Sequence, residues 1–155
     1  MQINYMYKAL EMAKISYKNK DVPVGCVIVK NNNIVGLGYN QKEKKKNPLS
    51  HAELIAINNA CHKLGTYHLE ECDMYVTLEP CLMCVGAIIN ARIKNLYFAA
   101  YNKRYGAVDS HVHLLTTGGF NHKTDFQGGI LEKESQDLLK SFFKELRAYK
   151  KRHCK

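Results

Sequence analysis

His51-Ala52-Glu53 and, well downstream, Pro80-Cys81-Leu82-Met83-Cys84 are the residues whose types and spacing can do chemistry. One imidazole and two thiolates can hold a zinc ion on three sides and leave its fourth position to water, the pattern of a catalytic rather than a closed structural site. Cys81 and Cys84, at i and i+3, share one helix face a turn apart. In the first helical turn the dipole favours a Cys81 thiolate, and Pro80 suits that start because its missing N–H would be unpaired there anyway. Zinc with two thiolates and a neutral imidazole still acidifies a bound water enough to give hydroxide near neutral pH.

Glu53 is not a ligand on the same footing. Residues i and i+2 of a regular helix point apart, so His51 and Glu53 share a site only if it lies over the helix end. There Glu53 can take a proton from the water, pass it to a ring nitrogen of a substrate, and later help protonate departing ammonia. The corresponding reaction is hydrolytic deamination of an amino-substituted heteroaromatic base through a tetrahedral intermediate. Alone, C-x-x-C reads equally as a redox dithiol or part of a structural knuckle, and a lone His-Ala-Glu carries almost nothing. Together, on two predicted helix starts and with proline before the first cysteine, they indicate a catalytic zinc. A structural site would need a fourth ligand. His62, His68 and Cys72 are available, but no second C-x-x-C or H-x3-H spacing supports them, and they read as surface or core residues.

The elements that must position these groups follow from periodicity. Tyr5, Ala9, Met12, Ala13 and Tyr17 recur at helical spacing, and Asp21-Val22-Pro23 ends that helix. Strands are predicted over 24–29 and 34–39, joined by a hairpin turn at Lys30-Asn31-Asn32-Asn33, whose asparagines tolerate φ > 0. Residues 41–48 read as a charged loop. The next helix should begin near Ser50 as N-cap and run through Ala52, Ile55, Ala56 and Ala60. A strand over 73–78, a helix over 81–91 and a strand over 95–100 follow. Residues 101–125 are polar and mixed and yield no assignment. Gly128-Gly129 precedes a last helix whose apolar stripe is Leu138, Leu139, Phe142, Phe143 and Leu146, with both phenylalanines expected in the core. Alternating helices and strands predict an α/β fold, a three-layer α/β/α sandwich around a central mixed sheet. Both motifs then fall at helix N-termini, where backbone donors and positive dipole ends converge.

A chain of 155 residues with 46% apolar content is about one domain, residues 1–155, with enough apolar mass for a core. Its 23 Lys+Arg against 14 Asp+Glu give a formal charge of +9, which suits a polyanion such as nucleic acid. The alternative is a cytosolic protein from an organism with lysine-rich usage. Of six cysteines (Cys26, Cys61, Cys72, Cys81, Cys84, Cys154) only Cys81 and Cys84 are closely spaced. The first twenty residues lack the apolar core of a signal peptide, and no stretch approaches the roughly 20 apolar residues that span a bilayer. A reducing cytoplasm fits best.

The chain resembles the bacterial tRNA-specific adenosine deaminases (the TadA family) over nearly its whole length. The resemblance is carried by Asp21-Val22-Pro23-Val24-Gly25, Gly38-Tyr39-Asn40, His51-Ala52-Glu53, the run from Tyr75 to Cys84, Gly128-Gly129-Ile130-Leu131 and Phe142-Phe143. Cytidine, guanine and riboflavin-pathway deaminases share the zinc motif alone. The resemblance implies a cytidine-deaminase-like fold and, as substrate, the wobble adenosine of an arginine tRNA anticodon, converted to inosine. It implies one zinc per subunit on His51, Cys81 and Cys84, with Glu53 as proton shuttle. Asn40 would hydrogen-bond the flipped nucleoside, Val24 would line the base pocket, and the Ala52 backbone would lie near the base edge. A homodimer whose subunits both hold the anticodon arm is expected as well.

An anticodon loop offers splayed single-stranded bases, which flip at little cost, and a basic surface supplies phosphate contacts. Arg147, Lys150, Lys151, Arg152 and Lys155 form a cationic tail that suits a nucleic-acid backbone or, equally, a solvated helix end. Lys42 to Lys46 reads as a solvated loop. One departure from the family pattern stands out: Ala99-Ala100-Tyr101-Asn102 replaces the usual Gly-Ala-Arg-Asp. The family's aspartate lies by the target ribose. Asn102 is neutral and can donate as well as accept, so weaker discrimination against deoxyribose is expected. Tyr101 gives up a phosphate contact or exchanges it for stacking. Two other function classes remain open on sequence: a small-molecule guanine or cytidine deaminase, and a zinc-stabilised RNA-binding module without catalysis.

Overall fold

In the computed structural model, which describes residues 2–153, five strands form one sheet in the order β2-β1-β3-β4-β5. They are β1 (Gly25–Lys30), β2 (Asn33–Tyr39), β3 (Cys72–Leu78), β4 (Asn95–Ala100) and β5 (Asp125–Gly128). β1 runs antiparallel to β2 and β3, while β3, β4 and β5 are parallel, so the sheet is mixed as expected. The β1–β2 turn is closed by Asn31 and Asn32, at φ 49° and 62°. Two successive left-handed residues are what a tight hairpin requires, and asparagine adopts them at low cost.

Period-two alternation gives the sheet two apolar faces. Cys26, Ile28, Met74, Val76, Leu96 and Phe98 form one core with Ala52, Ala56 and Ala60 of α3 (Ala52–Leu64) and with Val85, Ile88 and Ile89 of α4 (Leu82–Asn90). Val27, Val29, Tyr75 and Ala99 face the other way, against Met6 and Ala9 of α1 (Gln2–Lys18). Each large aliphatic or aromatic side chain so buried contributes about 1.5–3 kcal/mol. The last helix, α6 (Glu132–His153), joins the α1 side: Phe142 meets Tyr17 edge-on at 5.6 Å, and the Ser135 hydroxyl donates to the Thr77 carbonyl at 2.5 Å. The result is the expected three-layer α/β/α sandwich.

Four local readings change. Residues 41–48 contain a short helix, α2 (Lys42–Lys45), because Asp21 Oδ2 accepts the Glu43 N–H at 2.9 Å. Helix α3 starts at Ala52 with His51, not Ser50, as N-cap. Phe143 is 39% exposed while Phe142 is buried, since only Phe142 shares the face of buried Ser135, seven residues earlier. Residues 101–125, unassigned by periodicity, form a run of turns with one bridge from Gly106 to Cys81, the short α5 (Leu114–Thr117) and the approach to edge strand β5. No described helix is long and apolar enough to cross a membrane.

Candidate metal centre and active site

The first half of the site depends on how closely α3 lies against β2. A Cβ at Gly36 or Gly38 would run into the backbone carbonyl of Ala56 or Ala52, so these glycines admit the helix. The start of α3 is therefore brought to the end of β2, beside Asn40. Asn40 is buried and its Oδ1 accepts the Ala52 N–H at 2.8 Å, satisfying a free donor of the helix terminus. Its own carbonyl accepts from the Ser16 hydroxyl of α1 at 2.9 Å, and its N–H donates to the Val24 carbonyl. His51 thus holds an extended N-cap conformation (φ −80°, ψ 149°), with Glu53 in the first turn. The second half follows β3: Glu79 and Pro80 lead to Cys81, the N-cap of α4, with Cys84 buried one turn in.

His51, Cys81 and Cys84 converge so that one ligand atom from each lies within 4.8 Å of the others. His51 Nδ1 is 3.5 Å from Cys84 Sγ and 3.7 Å from Cys81 Sγ. Tetrahedral zinc with ordinary bond lengths sets N···S at about 3.6 Å, so the spacing fits that ion without rearrangement. No other group of three metal-ligating side chains occurs among the described residues; His62 and His68 are exposed, and Cys72 is buried in the core. The Cys84 thiol and the His51 ring beside it hold the Cys81 thiol down at about 4. Cys84 is pushed far up by the Cys81 sulfur and by burial. Cys81 in turn raises the His51 imidazole, against an opposing effect of burial. Glu53 is 4% exposed, its Oε2 has no hydrogen-bond partner, and burial raises its carboxyl to about 7. A buried, unsatisfied acceptor beside three convergent ligand atoms is costly unless something polar joins it.

Val24 and Ala52 are buried in one apolar cluster at the start of β1 and α3. Asn102 is half-buried, and its Oδ1 accepts the Tyr105 N–H at 3.1 Å. Tyr101 packs its ring edge-on against Phe98 at 5.0 Å. Lys42 is half-buried at the start of α2, near enough to His51 to oppose its protonation, whereas Glu43 to Lys46 are exposed. The tail residues Arg147, Lys150, Lys151 and Arg152 are exposed on α6; Lys155 lies outside the described residues.

Two polar residues at the site escape sequence reasoning. Glu79, quoted only as part of the cysteine motif, is 1% exposed and collects donors from residues 102–110. The sequence signal was a carboxylate leaving an otherwise apolar strand. Ser16, on the buried stripe of α1, offered none, since its partners lie 8 and 24 positions away.

A model of the cytidine and deoxycytidylate deaminase zinc-binding region matches residues 1–100, and the chain belongs to that family. Within it, the chain is 42% identical over 144 residues to a tRNA-specific adenosine deaminase from Rickettsia bellii, covering 92% of this chain and 99% of the relative. It is 39% identical over 147 residues to the tRNA-specific adenosine deaminase of Bacillus subtilis, covering 95% and 91%. A solved structure from a study of A-to-I editing by tRNA:A34 deaminases at the wobble position superposes with a TM-score of 0.85 at 36% identity, over 88% of this chain and 99% of that one.

Proposed function

We propose that this chain hydrolytically deaminates the wobble adenosine of a tRNA to inosine. The observation that carries the reading is the convergence of His51 Nδ1 and the Cys81 and Cys84 sulfurs beside a buried carboxylate, Glu53 Oε2, that has no partner. Near 40% identity along almost the whole length to tRNA-specific adenosine deaminases supports the substrate class.

In this mechanism His51, Cys81 and Cys84 would hold zinc, whose Lewis acidity would make a water nucleophilic near neutral pH. Glu53, with one carboxylate oxygen free, takes one proton from the water and delivers it to a purine ring nitrogen; it then takes the second from the hydroxyl added at the amino-bearing carbon and gives it to the departing ammonia as the carbonyl forms. Its raised pKa suits a group that must both accept and donate near neutrality. Asn40 has its side-chain Oδ1 committed to the Ala52 N–H of α3, so its amide NH2 is what remains for the nucleoside, as a donor. Val24 and the Ala52 backbone bound the base. Lys42 and the exposed cations of α6 meet phosphates. Asn102, with Oδ1 held by Tyr105, presents an NH2 where the family has a carboxylate, and discrimination against deoxyribose is accordingly weaker. Comparable RNA preference in the wild type and in Asn102→Asp would refute that last point.

The arginine tRNA anticodon arm is the expected substrate, a homodimer the expected assembly and the cytoplasm the expected compartment. The test is to incubate zinc-loaded protein with an arginine tRNA anticodon stem-loop bearing a wobble adenosine and to weigh the product. Inosine at that position alone supports the reading. No inosine, with zinc bound, together with turnover of free guanine or cytidine, replaces it with a small-molecule deaminase.

A further inference from the structure

Glu79 sits two residues before Cys81, and no lysine, arginine or histidine pairs with it among the described residues. Its carboxylate is instead surrounded by backbone. Oε2 accepts the N–H groups of Val108, Asp109 and Ser110 at 3.2, 2.8 and 3.0 Å; Oε1 accepts the Asn102 N–H at 3.1 Å and the Ser110 hydroxyl. Burial pushes this carboxyl up, but the donors from Asp109, Ser110 and Asn102 outweigh it and leave the group below its ordinary range. Successive amides aimed at one anion form a nest, here built around a side chain of the same protein.

The nest is fastened to the metal centre from a second direction. Gly106 forms a β-bridge with Cys81, and the Ala107 N–H donates to the Pro80 carbonyl at 2.9 Å. A Cβ at Gly106 would collide with the Glu79 carboxyl. The loop that begins at Asn102 is thus folded over the residue that introduces Cys81.

We propose that Glu79 is a positioning residue for the nucleoside: by gathering the amides of Asn102 and of 108–110, it holds the Asn102 side chain at the metal centre while touching neither ion nor substrate. The proposal rests on the reading above that Asn102 meets the substrate.

Glu79→Gln preserves volume but offers one acceptor oxygen where five donors converge. The expected variant binds one zinc per chain and exchanges the amides of Asn102, Val108, Asp109 and Ser110 faster. Its KM for the stem-loop rises about tenfold, with kcat within about threefold of wild type. Asn102→Ala, with its own rise in KM, adds less than about twofold in the Glu79→Gln background, because both act through one contact. Loss of zinc, a fall in kcat at unchanged KM, or independent multiplication of the two effects overturns the proposal. Should Glu79→Gln not fold, Ser110→Ala removes one donor and leaves the carboxylate. A KM raised about twofold with zinc retained then supports the role, and unchanged KM with unchanged amide exchange overturns it. Wild-type protein that makes no inosine defeats the wobble-adenosine reading instead, an outcome the wild-type control identifies by itself.

Discussion

Glu53 carries an unusual combination: a carboxyl 4% exposed, one oxygen without a partner, and a pKa lifted to about 7 by burial. A side chain kept for stability would be paired; this one is left open beside the convergent His51, Cys81 and Cys84. Glu53→Ala is therefore expected to retain one zinc per chain and to lose a factor of about a thousand or more in inosine formation, checked by metal analysis beside product mass. Cys84→Ser should do the reverse, leaving Glu53 in place and dropping the metal content well below one per chain. That His51, Glu53, Cys81 and Cys84 meet was legible in the sequence, because the i, i+2 spacing of His51 and Glu53 forces the site over a helix end. The commitment of Asn40 was not legible. Its bond to the Ala52 N–H depends on how far α3 slides along β2, a distance set by packing and not by local pattern.

At the scale of elements, the seating of α3 depends on two missing side chains. Gly38→Ala puts a methyl group into the Ala52 carbonyl and must push the helix, with His51 and Glu53, off the sheet. We expect a loss of about 3 kcal/mol or more in urea unfolding, as for other overpacked cores, together with weakened zinc binding. Glu79 makes a different element-scale contribution. Its folded pKa lies below its ordinary value, so the stability it confers is complete above the usual carboxylate range and is lost as pH falls through the folded value. Glu79→Gln should therefore flatten the acid limb of the stability–pH curve, and a limb as steep as wild type would exclude the charged nest. The helices α1, α3, α4 and α6 and strands β1 to β4 were legible because each repeats apolar residues at 3.6 or 2. Residues 101–125 were not, since their order comes from a carboxylate 23 to 31 positions upstream and leaves no period to read.

At the scale of the molecule, the charge of +9 predicts salt-sensitive association. Stem-loop affinity should fall about tenfold between about 50 and about 200 mM salt, and removing residues 150–155 should flatten that slope by the cations lost. A slope untouched by the truncation would return the tail to the role of a solvated helix end. The alternating order of elements made the three layers legible, but which segments brace the site was not, because that bracing joins parts of the chain remote from one another.

Thr77, three residues before Pro80, shows what this bracing entails. Its hydroxyl accepts the Gly25 N–H at 3.1 Å, and its carbonyl accepts from Ser135 at 2.5 Å. The approach to Cys81 is thus gripped by the first strand and by the last helix at once. A ribosome makes the chain in one direction, and by the time Cys84 has been added every metal ligand already exists. The second grip needs a serine synthesised fifty residues later. Competence of the centre is consequently an event in time as well as in space: the ligands are made first, and the brace that finishes their seating arrives only after a further helix has begun.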